Sequence, residues 1–127
     1  MTVKSCILRT HEDNFNLEAL IHLVGHDLHV VIWGGNKPHI GAVALAQPRK
    51  SLKNQECNSS TASVMCLSGH KEDVVVKYVA ERLAAMLDRN VVATAGMHWD
   101  VFEEPDIKGV MDNVSKLTDM IIAHINS

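Results

Sequence analysis

The chain is 127 residues long, 46% hydrophobic and 21% charged, with a formal net charge of -3. That length fits one domain over residues 1–127, and the apolar share suffices for a packed core. The mild acidity excludes the basic patch that nucleic acid requires and the polybasic surface that anionic lipid attracts, and no run of about 18 apolar residues is present to span a bilayer.

The N-terminal stretch "MTVKSCILRTHEDNF" lacks the apolar run of a signal peptide. Cys6, Cys57 and Cys66 are odd in number and form no Cys-x-x-Cys pair, which leaves out zinc-ribbon and thioredoxin-type sites. Reduced thiols in a cytoplasmic protein are expected. The eight histidines are a heavy load for so small a chain, so their placement matters.

A first strand is expected near residues 3–9. From 15 to 24, Phe15, Leu17, Ala19, Ile21 and Leu23 alternate with polar or bulky neighbours, which is a strand period. Residues 28–33, "LHVVIW", alternate too. A turn at Gly25-His26 pairs Leu23 with Leu28 and Ile21 with Val30, and sets His22 opposite His29. The next strand, "IGAVALA" at 40–46, carries Ala42, Ala44 and Ala46, so a neighbour must pack closely on it. Residues 48–60 are polar and aperiodic and read as an exposed mobile loop. A strand resumes at 61–67, and the first half reads as an antiparallel meander.

The period then changes. Val75, Val79, Leu83 and Met86 recur at helical spacing, widened by Val76, Ala80 and Leu87, with Asp73 and Lys77 spaced to pair. Residues 91–97, "VVATAGM", return to strand. A last helix carries Ile107, Val110, Met111, Val114, Leu117, Ile121 and Ile125. Pro105 is tolerated in its first turn, and Glu103, Glu104 and Asp106 suit its positive end. The expected architecture is α+β: a largely antiparallel sheet of about six strands with two amphipathic helices on one face.

Three segments break the packing pattern: "GGNKPHIG" at 34–41, "GHKED" at 69–73 and "GMHWD" at 96–100. Each follows or ends a strand and pairs a glycine with a histidine, so they can converge on one rim of the sheet. In the first, Gly34, Gly35 and Gly41 permit close approach of backbone, while Pro38 sets His39 in extended chain beside Lys37. In the second, Gly69, His70 and Lys71 precede a helix whose unpaired N–H groups attract anions, and a phosphate fits there. In the third, Trp99 offers a flat face beside His98 and Asp100. Each has a plainer reading: a hairpin turn and proline corner, a solvated glycine turn, and a strand end capped by a half-buried tryptophan. His39, His70 and His98 together could hold a divalent metal, although no local ligand spacing such as His-x-x-x-His is present. A Gly-x-Ser-x-Gly elbow, a phosphate-binding P-loop and a Gly-x-Gly-x-x-Gly fingerprint are all absent.

Taken together, "GGNKPHIGAVALA", "SGHKEDVVVKYVAERLAAMLDRNVVATAG" and "GMHWD" resemble the prenylated-FMN chaperone family, small proteins that accompany UbiD-type decarboxylases of hydroxybenzoates such as gallate and protocatechuate. The likeness covers most of residues 15–122, omits 48–60, and extends in fold class to proteasome-assembly chaperones. It implies a cofactor chaperone, not an enzyme, that binds prenylated FMN and delivers it to an apo-decarboxylase. Cofactor contacts are then expected from Gly34, Gly35, Lys37, Pro38, His39, Gly41, Gly69, His70, Lys71, His98 and Trp99, with a metal bridging phosphate and histidine compatible. Exposed sheet edges and apolar helices suggest a homodimer. Two other classes stay open: a ligand-free interaction subunit of a decarboxylase, and a small metal-dependent enzyme built on the strand-end histidines.

Overall fold

The computed structural model describes residues 4–67 and 72–127. The elements run β1 (Lys4–Arg9), β2 (Leu17–Val24), β3 (Asp27–Gly35), β4 (Ala42–Lys50), β5 (Asn58–Cys66), α1 (Glu72–Leu87), β6 (Val91–His98) and α2 (Asp106–Asn126). The β2–β3 hairpin turns at Gly25, whose φ of 61° suits glycine. Its register sets Leu23 against Leu28, Ile21 against Val30 and His22 against His29. That is the register the alternation requires, because a slip of one residue in either strand would turn its buried set, Leu17, Ala19 and Ile21 or Leu28, Val30 and Ile32, to the other face.

The meander stops at β3. The sheet order is β1-β2-β3-β6-β4-β5, with β6 parallel to β3 and antiparallel to β4. The sheet is thus mixed but mostly antiparallel. Alternation says which face a residue occupies and is silent on which strand lies beside it. Strand β6 takes the inner place, and its Val91, Ala93 and Ala95 are buried.

Residues 48–60 are not a loop throughout. Strand β4 continues to Lys50 and β5 starts at Asn58, leaving 51–57 as the connection. Polar side chains tie this extension: Arg49 Nε donates to Thr61 Oγ1 at 2.8 Å and Lys50 Nζ to Asn58 Oδ1 at 3.2 Å. Pro48 falls past the end of the β4–β6 ladder, where a missing N–H is tolerated.

Both helices cover one face of the sheet. Helix α1 buries Val75, Val76, Val79, Ala80, Leu83, Ala84 and Leu87, packing on β4, β5 and β6, where Ala42, Ala44 and Ala46 let it approach. Met86 lies off that stripe and is exposed. Lys77 pairs with Glu81 at 2.7 Å, one turn on, where a pair with Asp73 was expected. Helix α2 buries Val110, Val114, Leu117 and Ile121, and contacts β1 and β2. Arg82 and Asp119 link the two helices, and the Asp119 hydrogen bond holds the Arg82 guanidinium above its ordinary value.

Among the described residues no helix covers the opposite face of the sheet. Paired residues cross it in a row from Ile7 through Leu20, Val31, Thr94 and Val43 to Met65. A second row runs Ser5, His22, His29, Val92, Leu45 and Ser63. Ile7, Leu45 and Met65 are exposed.

Candidate functional site

The end of β3, the end of β6 and the start of β4 lie at the same end of the sheet. Gly35 pairs with His98, and the Gly41 N–H donates to the Ala95 carbonyl at 2.9 Å. The crossover between them, residues 36–41, is pinned at several points. The Asn36 N–H donates to the His98 carbonyl at 2.6 Å, and Asn36 Oδ1 accepts from the Asp100 N–H at 3.0 Å. Segments 34–41 and 96–100 therefore do converge, as expected.

The glycines explain how two backbones come so close. A Cβ on Gly96 would collide with the His39 carbonyl, and one on Gly35 with the carbonyl of His98. Gly35 also has a φ of 81°. A Cβ on Gly41 would sit 2.7 Å from the Glu72 carboxylate, and one on Gly34 2.8 Å from Leu17 Cδ2. The room expected to admit a ligand along Gly34, Gly35 and Gly41 is taken by the chain's own atoms. Their work is to let three segments pack.

Glu72 opens α1 and is buried, with 7% of its surface exposed. Its Oε1 lies 3.0 Å from His39 Nε2 and accepts from the Met97 N–H at 3.4 Å. The other ring nitrogen of His39 is 2.9 Å from the Lys37 carbonyl. Glu72 thus binds the start of α1 to both converging segments. In sequence it resembles an ordinary acidic residue of a helix first turn, and nothing local sets it apart from Asp73.

His98 turns to a different carboxylate, with Nε2 3.3 Å from Asp100 Oδ1, and Lys37 lies 4.0 Å from the same oxygen. Among the described residues no three His, Cys, Asp or Glu side chains gather as a metal ligand set. Gly69, His70 and Lys71, and with them the third histidine of the expected metal group, lie outside the described residues.

Trp99 belongs to an aromatic cluster that the sequence pattern did not single out. Phe15 meets its edge with centroids 5.2 Å apart, and Phe102 stacks on it at 5.9 Å. Phe15 is held there by Asn113 of α2, which donates to the carbonyls of Asn14 and Phe15 at 2.8 and 2.7 Å. Phe15 falls in step with the alternation of Leu17, Ala19 and Ile21, which suggests a strand residue, but β2 starts only at Leu17 and Phe15 has a φ of 60°, which takes it out of the strand. Around this end Pro38, Ile40, Val101, Phe102 and Ile107 are exposed. The rim therefore presents aromatic and apolar surface beside Lys37, His39 and His98. Two clefts, of about 300 Å3 and 350 Å3, lie elsewhere, between β1 and the end of α2 and between α1 and β5.

Residues 11–126 match the family described as "Prenylated flavin chaperone LpdD-like domain". The chain is 23% identical over 118 residues to Protein LpdD of Lactiplantibacillus plantarum, a match covering 93% of this chain and 83% of that protein. Among solved structures it resembles a chain from the crystal structure of a chaperone complex for yeast 20S proteasome assembly. The TM-score is 0.65 at 14% identity, covering 95% of this chain and 96% of that one. At that identity the likeness concerns the fold alone.

Proposed function

We propose a function from one premise: the chain belongs to the prenylated flavin chaperone LpdD-like family. Its role is that of a chaperone, not an enzyme. In our reading it binds prenylated FMN at the rim formed by 34–41 and 96–100 and hands it to an apo UbiD-type decarboxylase. The observation that carries this placement is the convergence of both segments beside a surface of exposed apolar and aromatic side chains.

The residues present fit such a ligand. A flat ring system suits the exposed side of Phe102 with Val101, Ile107 and Ile40. A phosphate suits Lys37, which is 73% exposed and only loosely engaged with Asp100 at 4.0 Å. Lys71, which precedes α1 in the sequence, is the second cation assigned to it. Pro38 keeps Lys37 and His39 on one short segment. When bound, the cofactor supplies the decarboxylase's chemistry; this chain's residues only hold and orient it. An open rim suits transfer, because a ligand to be passed on must leave as well as arrive. A divalent ion between the phosphate and His39 or His98 is a compatible addition, and cofactor affinity that falls on chelation supports it. Exposed thiols at Cys57 and Cys66 suit a reducing cytoplasm.

We place a second copy of the chain on the helix-free face. Its two central rows hold no Lys, Arg, Asp or Glu, and a two-fold interface sets each patch against itself, where a charged patch would repel.

The cofactor reading is tested by fluorescence titration of prenylated FMN into apo protein. Lys37→Ala and Lys71→Ala should each weaken binding by about tenfold to a hundredfold, the worth of a charge-assisted phosphate contact. Both should leave the apo melting temperature nearly unchanged. Equal affinity in both variants and wild type rules out this phosphate site.

A further inference from the structure

The cleft of about 300 Å3 between β1 and the end of α2 contains a thiol paired with an imidazole. Cys6 lies on β1, paired with Ile21 and so on the helix-covered face. Its Sγ is 3.2 Å from Nε2 of His124, in the last turn of α2. The two residues are 118 positions apart, so only the docking of α2 on the edge strand joins them. The last turn of a helix is where positive charge is best accommodated, and Lys4 lines the same cleft. Ile21, Leu23 and Ile125 give the cleft an apolar wall beside the sulfur. The arrangement has a nucleophile, a proton acceptor within hydrogen-bond reach, and room for a reactant.

We propose that Cys6 and His124 form a thiol-modification site that takes low-molecular-weight disulfides. The thiol proton passes to His124 Nε2 and the Cys6 sulfur attacks one sulfur of the disulfide. A new S–S bond joins Cys6 to that half, the original S–S bond breaks, and the departing thiolate takes the proton back from His124. The incoming disulfide supplies the oxidising equivalent. This site is at the cleft beside β1 and is independent of the flavin reading.

The other two cysteines make the test internal to one molecule. Cys57 and Cys66 are exposed, whereas Cys6 is half-buried, so accessibility alone ranks Cys6 last. The intact chain is treated with glutathione disulfide at neutral pH, and each cysteine is followed by peptide mass spectrometry. The expected result is that Cys6 reacts several times faster than Cys57 or Cys66. His124→Gln should slow Cys6 by about tenfold and leave the other two unchanged. A ranking that follows exposure overturns the proposal, as does a Cys6 rate indifferent to His124→Gln. Iodoacetamide, small enough to be insensitive to the width of the cleft, must show the same drop. A drop confined to glutathione disulfide would make the role of His124 steric and overturn the proposal too.

Discussion

At the residue scale, Glu72 decides how the site is assembled. A carboxylate only 7% exposed is stable there because His39 and the Met97 N–H meet it. Glu72→Gln should cost about 1–3 kcal/mol, the penalty for spoiling a buried polar contact. His39→Gln should cost a similar amount. In thermal or urea unfolding the double variant should lose less than the sum, because the two side chains share one interaction. Additive losses would show that they act separately. Gly96 gives a second prediction. A methyl group there would run into the His39 carbonyl, and backbone yields less easily than a side-chain tip. Gly96→Ala should therefore destabilise the fold by about 1–3 kcal/mol and displace the 36–41 crossover, observable as shifted amide resonances of Asn36 and Gly41. A variant that melts like wild type would remove the close-packing role assigned to this glycine.

At the element scale, the helical stripe of α1 was legible and its edge was not. Residues 75, 76, 79, 80, 83, 84 and 87 are buried, while Met86, apolar and at a plausible spacing, is 61% exposed. The stripe is set by where the sheet lies, and periodicity alone leaves its flanks undefined. Leu83→Ala should cost about 2–5 kcal/mol by leaving a core cavity, whereas Met86→Ala should change stability by no more than about 0.5 kcal/mol. Denaturant midpoints at constant m-value separate the two. Strands β4 and β5 teach the complementary lesson. Their outer halves, in 47–50 and 58–61, are polar because they extend past β6, so they carry no alternation to read.

At the scale of the whole molecule, the sheet has one face under two helices and one face bare. Exposed Ile7, Leu45 and Met65 lie on the bare side. If a second copy covers it, Leu45→Glu should convert a dimer to a monomer in light scattering at micromolar concentration. The variant should keep its far-ultraviolet circular dichroism, since Leu45 is outside the core. A wild-type monomer at that concentration, or a dimer unaffected by Leu45→Glu, would place the interface elsewhere or remove it. Cofactor affinity in the monomeric variant then shows whether the rim of one copy is sufficient. Equal affinity means that each protomer binds alone.

The sequence by itself determined the order and type of the elements and the faces of their apolar residues, but not the polar ends of β4 and β5. Period-two alternation fixed the β2–β3 register, including His22 opposite His29, because only one register puts Leu17, Ala19 and Ile21 on the same covered face as Leu28, Val30 and Ile32. Helical periodicity located the buried stripes without their edges, and the glycine-histidine segments 34–41 and 96–100 marked the end of the sheet where the candidate site lies. What only the tertiary structure decided is which pieces are neighbours. The insertion of β6 between β3 and β4, the Glu72–His39 pair, the Phe15–Trp99–Phe102 cluster and the Cys6–His124 pair each join residues far apart in the chain. Local pattern reports a residue's own exposure; it holds no information on what the chain brings to the other side.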